Sequence, residues 1–234
     1  MVSVQKTFKL LKKIFFTAIL GILFLSFLGC GQKFSMEEKT ILYQGNKTIP
    51  LEIFEETKRA LAYFPELEEV GIEFRFKDNI SKSFMQAQPA FSNVLKGKDK
   101  RNYYIFISSK VQIEGKDFSI NDIPSDVLVG WLGHELGHVM DYRDRSGMGL
   151  VIFGFRYITS NKYIMEAERR ADVYAVNQGM GDYILKTKEF ILNNTDLSEA
   201  YKERIKRLYL SPEEIVNLVN KLEEEMQEAD IEEG

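Results

Sequence analysis

The chain contains only two histidines, His134 and His138, and they stand four residues apart with Glu135 between them. On an α-helix four residues turn about 400° and rise about 6 Å, so both imidazoles project from one face. Two nitrogens on one face can reach a single zinc ion at about 2.0–2.1 Å each. Glu135 lies about 100° around the helix from His134, too far to be the natural third ligand. It is well placed to take a proton from a metal-activated water. The flanks narrow the choice of fold further. Val129, Gly130, Trp131, Leu132, Gly133, Leu136, Gly137, Val139 and Met140 carry no charge, which suits a helix sunk into the core with only its metal face open. The bland alternative is a pair of histidines and a glutamate hydrogen-bonded inside a helical core. Burying three ionisable groups without a metal is costly, which weighs against it.

A catalytic zinc needs a third protein ligand and an open position. No third histidine exists, and the single cysteine, Cys30, lies far upstream. By exclusion the third ligand is a carboxylate, and Asp141, Asp144, Glu166, Glu168 and Asp172 are the nearby choices. Glu168 and Asp172 stand four apart on a predicted helix and share a face to within about 40°, whereas Glu166 and Asp172 are about 120° apart. The pair allows a division of labour in which Glu168 binds metal and Asp172 holds the free N–H of a ligating imidazole. Asp141 and Asp144 follow the motif closely and stay open as alternative ligands.

The N-terminus reads as an address. Lys6, Lys9, Lys12 and Lys13 precede an uncharged apolar run from Ile14 to Leu28 that ends in Gly29-Cys30, the parts of a secretory signal. Fifteen helical residues rise only about 22 Å, short of the roughly 30 Å hydrocarbon core, so a permanent transmembrane anchor is the weaker reading. The small residue before Cys30 resembles the bacterial lipoprotein lipobox, with Phe27 where that pattern usually has Leu. That resemblance implies acylation of Cys30, a signal peptide over residues 1–29, and a location in the bacterial cell envelope on the extracytoplasmic side of a membrane. It also accounts for the lone cysteine; one cysteine allows no intrachain disulfide.

Residues 30–48 read as a tether and 49–234 as a single domain, the default for a chain of 234 residues. Pro50 opens a helical pattern through Phe64. Val70–Phe76 alternates apolar and charged residues as a half-buried strand, and Tyr103–Ser109 is a second strand. Residues 77–100 read as an irregular excursion. From Pro124 the pattern is helical: a helix capped by Ser125 or Asp126 and running to about Met140, a glycine-bearing loop over 146–155, then helices near 161–178, 182–193, 196–208 and 212–229. The fold class is α+β, a small sheet followed by a mostly helical domain. The loop Gly147–Phe155 is either an apolar flap or lipid-facing patch, or core packing, which is the preferred reading.

The stretch His134-Glu135-Leu136-Gly137-His138, with Glu168-x-x-Ala171-Asp172 thirty-four residues after the first histidine, resembles the gluzincin metallopeptidases. The likeness is nearest to the group of CAAX prenyl proteases, bacterial heat-shock membrane proteases and their minimal soluble relatives, and it covers roughly residues 100–180. It implies a zincin-like domain that binds one Zn2+ through His134, His138 and Glu168, with Glu135 activating water and Asp172 supporting a histidine. Many gluzincins stabilise the oxyanion with a further histidine, which this chain lacks. A tyrosine or arginine would serve, with Tyr157, Tyr163, Tyr174 and Arg156 as candidates. By analogy, the strand Tyr103–Ser109 would be the sheet edge along which an extended peptide adds.

The expected function is a membrane-anchored zinc metallopeptidase acting on peptide or protein substrates. The alternative, from another class, is a non-catalytic envelope lipoprotein in which a structural zinc staples helices and the surface binds a partner. The formal net charge of -4, with no basic block beyond the first thirteen residues, gives no support to nucleic-acid binding.

Overall fold

The computed structural model describes residues 39–233 except 79, 81–82, 109–110, 114–115, 119 and 195–196; for 111–113, 116–118 and 230–233 it describes the backbone alone. The expected signal peptide and Cys30 lie outside the described residues.

A five-stranded mixed sheet comes first, in the order β1-β2-β3-β5-β4. Strands β1 (Thr40–Tyr43) and β2 (Lys47–Pro50) form an antiparallel hairpin, β2 and β5 (Tyr103–Ser108) flank β3 (Ile72–Lys77) in parallel, and β4 (Met85–Pro89) runs antiparallel to β5. Alternation decides which side is covered: Ile72 and Phe74 of β3 and Tyr103, Ile105 and Ile107 of β5 are buried, while Arg75, next after Phe74, is exposed. A separate two-stranded ladder joins β6 (Val111–Ile113) to β7 (Lys116–Phe118).

Seven α-helices are described. Helix α1 (Phe54–Leu61) packs between the sheet and α2 (Ser125–Asp144); α3 (Gly147–Thr159), α4 (Asn161–Ala175), α5 (Gly181–Asn193), α6 (Glu199–Leu208) and α7 (Pro212–Glu233) follow. Helix α2 is the axis of the body, buried almost continuously from Val127 to Val139 and packed on α4, α5, α1 and β4. Its glycines make this possible. A Cβ on Gly137 would collide with the Ala171 carbonyl of α4, and one on Gly130 with the Tyr183 carbonyl of α5. Only bare backbone lets the helices approach that closely. A wider turn over Val176–Met180, with Gly179 at φ 85°, then redirects the chain from α4 into α5.

The α+β class and most of the helices follow the sequence pattern; five expectations do not. Residues 40–48, read as tether, form the β1–β2 hairpin, and the helix expected from Pro50 is a short 3-10 turn (Leu51–Ile53) leading into α1. The excursion 77–100 contains β4, whose Met-Gln-Ala-Gln-Pro lacks β-branched residues. The strand at Tyr103 is interior, so the sheet edge on its side is β4, with β1 at the other edge. The glycine-bearing loop 146–155 is helical. Ser146 caps α3 by accepting from the Gly149 N–H at 3.0 Å, and burial of Leu150 and Phe153 outweighs the helix penalty of about 1 kcal/mol per glycine.

Candidate metal centre

Helix α2 supplies His134, Glu135 and His138, and α4, drawn in against Gly137, supplies Glu168 and Asp172; all five are buried. Glu168 Oε2 lies 3.2 Å from His134 Nε2 and 3.3 Å from His138 Nε2. Ligands at 2.0–2.1 Å on a tetrahedron stand about 3.3–3.4 Å apart. Both separations match a shared ion as well as direct hydrogen bonds, and the three residues form a buried group that can hold a metal.

The shell behind the ligands fixes their state. His134 Nδ1 lies 2.8 Å from Asp172 Oδ1; a proton shared with that carboxylate turns Nε2 toward the ligand position, where a bound cation would take the place of its second proton. Asp172 is itself held by Lys188 Nζ at 3.0 Å and by the Leu210 N–H at 3.0 Å. Burial alone would raise the Asp172 pKa, but the Lys188 charge and the His134 and Leu210 hydrogen bonds keep it below the usual range. Burial pulls the His134 pKa down, yet Asp172 and Glu168 overrule it and lift it to about 10. The same attraction drives Glu168 well below the ordinary carboxylate range despite its burial, through the charges and hydrogen bonds of His138 and His134. This pocket strongly favours positive charge. The Tyr157 hydroxyl donates to the other Glu168 oxygen, Oε1, at 2.5 Å. His138 has no such clamp: its ring stacks on Tyr142 with centroids 5.9 Å apart, and its Nδ1 has no partner among the described residues.

Glu135 Oε2 accepts from the Ala87 N–H of β4 at 2.6 Å, while its carboxylate stays close enough to feel the charges of His134, His138 and Glu168. Burial raises its pKa; the two imidazoles and the Ala87 N–H pull back only part of that rise. A carboxylate raised by burial beside an ion site is the form a general base takes. Phe84 O and Ala90 N pair with β5, so the backbones of Met85, Ala87 and Pro89 face the free edge. At that edge the Tyr142 hydroxyl donates to Ala87 O at 3.3 Å.

The structure thus brings together His134, Glu135, His138, Glu168 and Asp172, and it leaves the other carboxylates outside. Asp141 is clamped by Arg145 and Arg170, Asp144 accepts from the Tyr174 hydroxyl, and Glu166 lies on the surface near Lys162. Among the four oxyanion candidates only Tyr157 reaches the ligands. Tyr163 accepts from Arg145, and Arg156 sits over the Tyr163 ring. Sequence reasoning missed Tyr209, whose ring centroid is 5.3 Å from that of His134, and Lys188, whose Nζ lies 4.1 Å above the Tyr209 ring. Burial and the charge of Glu168 hold the Tyr209 phenol well above its ordinary pKa, so it stays a proton donor. Comparisons with protein-family models, with curated proteins and with solved structures found no match to this chain.

Proposed function

We propose that the chain is a zinc metallopeptidase with a zincin-like domain of the gluzincin type, carried as a lipoprotein on the outer side of a bacterial membrane. The observation that carries this reading is the ligand triangle with its spacings of 3.2 and 3.3 Å, beside a buried carboxylate that is not part of it. A purely structural site has no use for Glu135. His134, His138 and Glu168 would hold one Zn2+, which supplies the charge that acidifies water and polarises a peptide carbonyl.

The chain's own residues do the rest. Glu135, anchored on Ala87, takes a proton from the attacking water and passes it to the leaving amine. Tyr209 donates to the developing oxyanion in place of the missing histidine, while Tyr157 and Asp172 fix the orientation of Glu168 and His134. With both polar groups of Ala87 taken by Glu135 and Tyr142, the outward backbone of Met85 and the Pro89 carbonyl are what β4 offers to an extended peptide. The test is hydrolysis of a broad peptide library by metal-analysed protein. About one zinc per chain is expected, with cleavage abolished by a chelator and restored by zinc. Bound zinc with no cleavage under any condition would favour the non-catalytic alternative.

A further inference from the structure

Helix α3 exposes what a helix of its composition would bury. Over Gly147–Thr159 its only charged residue is Arg156. Leu150 and Phe153 turn into the core, where Phe153 packs on Tyr142, Tyr157 and Tyr163. Met148, Val151, Ile152, Phe155 and Ile158 recur at helical spacing on the opposite side and are 62%, 44%, 48%, 51% and 76% exposed. A helix apolar all round is ordinarily covered on every side.

The face does not end with the helix. Gly147 abuts Leu95, which is 74% exposed, and Leu95 opens a loop carrying Lys96, Lys98 and Lys100, all exposed. Lys98 is held there by a hydrogen bond of 3.2 Å to the Asp144 carbonyl at the end of α2. Three lysines with one acid, Asp99, therefore edge an apolar face in a chain whose net charge is -4. Thirteen residues rise about 20 Å, too little to cross a bilayer but enough to lie in its interface. A symmetric pairing of two copies through this face would set like-charged lysine rims against one another.

We propose that the outer face of α3, with Leu95 and the Lys96–Lys100 loop, docks on an anionic membrane surface. The apolar side chains enter the headgroup boundary and the lysines meet lipid phosphates. An acyl group on Cys30 would raise the local concentration of lipid and strengthen the contact. Tyr157, on the same helix, touches Glu168, so docking sets the metal centre beside the bilayer and directs it to peptide segments at the membrane surface. That last consequence rests on the peptidase reading; the docking does not.

The experiment reads lipid contact and no hydrolysis. The full chain carrying Phe155→Trp, and separately Met226→Trp on α7 (69% exposed), is incorporated into vesicles of equal parts phosphatidylcholine and phosphatidylglycerol containing brominated acyl chains. Fluorescence is taken as the difference from the parent chain, whose single tryptophan is Trp131. Position 155 should be quenched about twofold and position 226 little, with the contrast shrinking in pure phosphatidylcholine or when all three lysines are changed to Glu. Both variants share one N-terminus, so anchoring alone cannot produce the contrast. Equal quenching at the two positions, or none at 155, overturns the proposal. So does a blue shift at 155 that grows with protein concentration and ignores lipid, which would assign the face to a second copy.

Discussion

Two adjoining parts of this molecule depart from the burial rule in opposite directions. On α2 and α4, six acidic or histidine side chains sit in the interior; on α3, five large apolar side chains sit in solvent. The core between them obeys the rule, with Leu132, Leu136, Ile105 and Ile107 fully buried. A buried charge costs stability unless it is paired, and an exposed apolar face contributes none. The buried groups pair with one another, and in the proposed reading each departure marks a place where the chain meets something other than itself. In that reading a cation would satisfy the interior departure and a lipid surface the exterior one. The neighbouring inner face of α3, which packs on Tyr142, connects the two.

The sharpest way to break the comparison is to remove a ligand. Glu168→Ala should take the zinc content from about one per chain to near zero, because three protein ligands are the minimum for such a site; metal analysis of purified protein reads this directly. The second test uses two aromatic residues on one helix. Phe153→Ala should lower unfolding stability by about 3–5 kcal/mol, whereas Phe155→Ala should change it by less than about 0.5 kcal/mol, as measured by denaturant titration without lipid. Equal costs would mean that the outer face is core after all.

Smaller effects probe the supporting shell. Tyr209→Phe should keep its zinc and lower kcat about 100-fold with little change in KM, the signature of an oxyanion donor. Asp172→Asn and Lys188→Met should each weaken zinc affinity about 10–100-fold in a competition titration while the protein stays folded at saturating zinc. An unchanged affinity in Lys188→Met would reduce that lysine to a packing role.

The part of the centre legible in the sequence was the part set by local geometry. His134, Glu135 and His138 follow from helical spacing alone, and so does the shared face of Glu168 and Asp172. Contacts contributed by distant elements were not legible. Ala87 sits on a strand with weak propensity, and Tyr209 lies just past the end of α6 with nothing beside it to announce a role. Lys188 did leave a signal. It falls on the stripe Ile184, Thr187, Lys188, Ile191, where a lysine buried among apolar positions requires an anionic partner, here Asp172. The hairpin β1–β2 escaped because four-residue strands give too short an alternation to count. Helix α3 escaped because glycine was weighed against helix without weighing the burial of Phe153.

The central claim is that α2 carries two ligands and one base on neighbouring faces, and a single paired measurement addresses it. Zinc content and peptide hydrolysis are read together on Glu135→Gln, with Asp144→Ala as a control lying outside the ligand triangle. Glu135→Gln should retain about one zinc per chain and lose nearly all turnover, since its task is proton transfer. Asp144→Ala should retain both. Loss of zinc from Glu135→Gln, or hydrolysis that survives the substitution, would contradict the division between ligand and base.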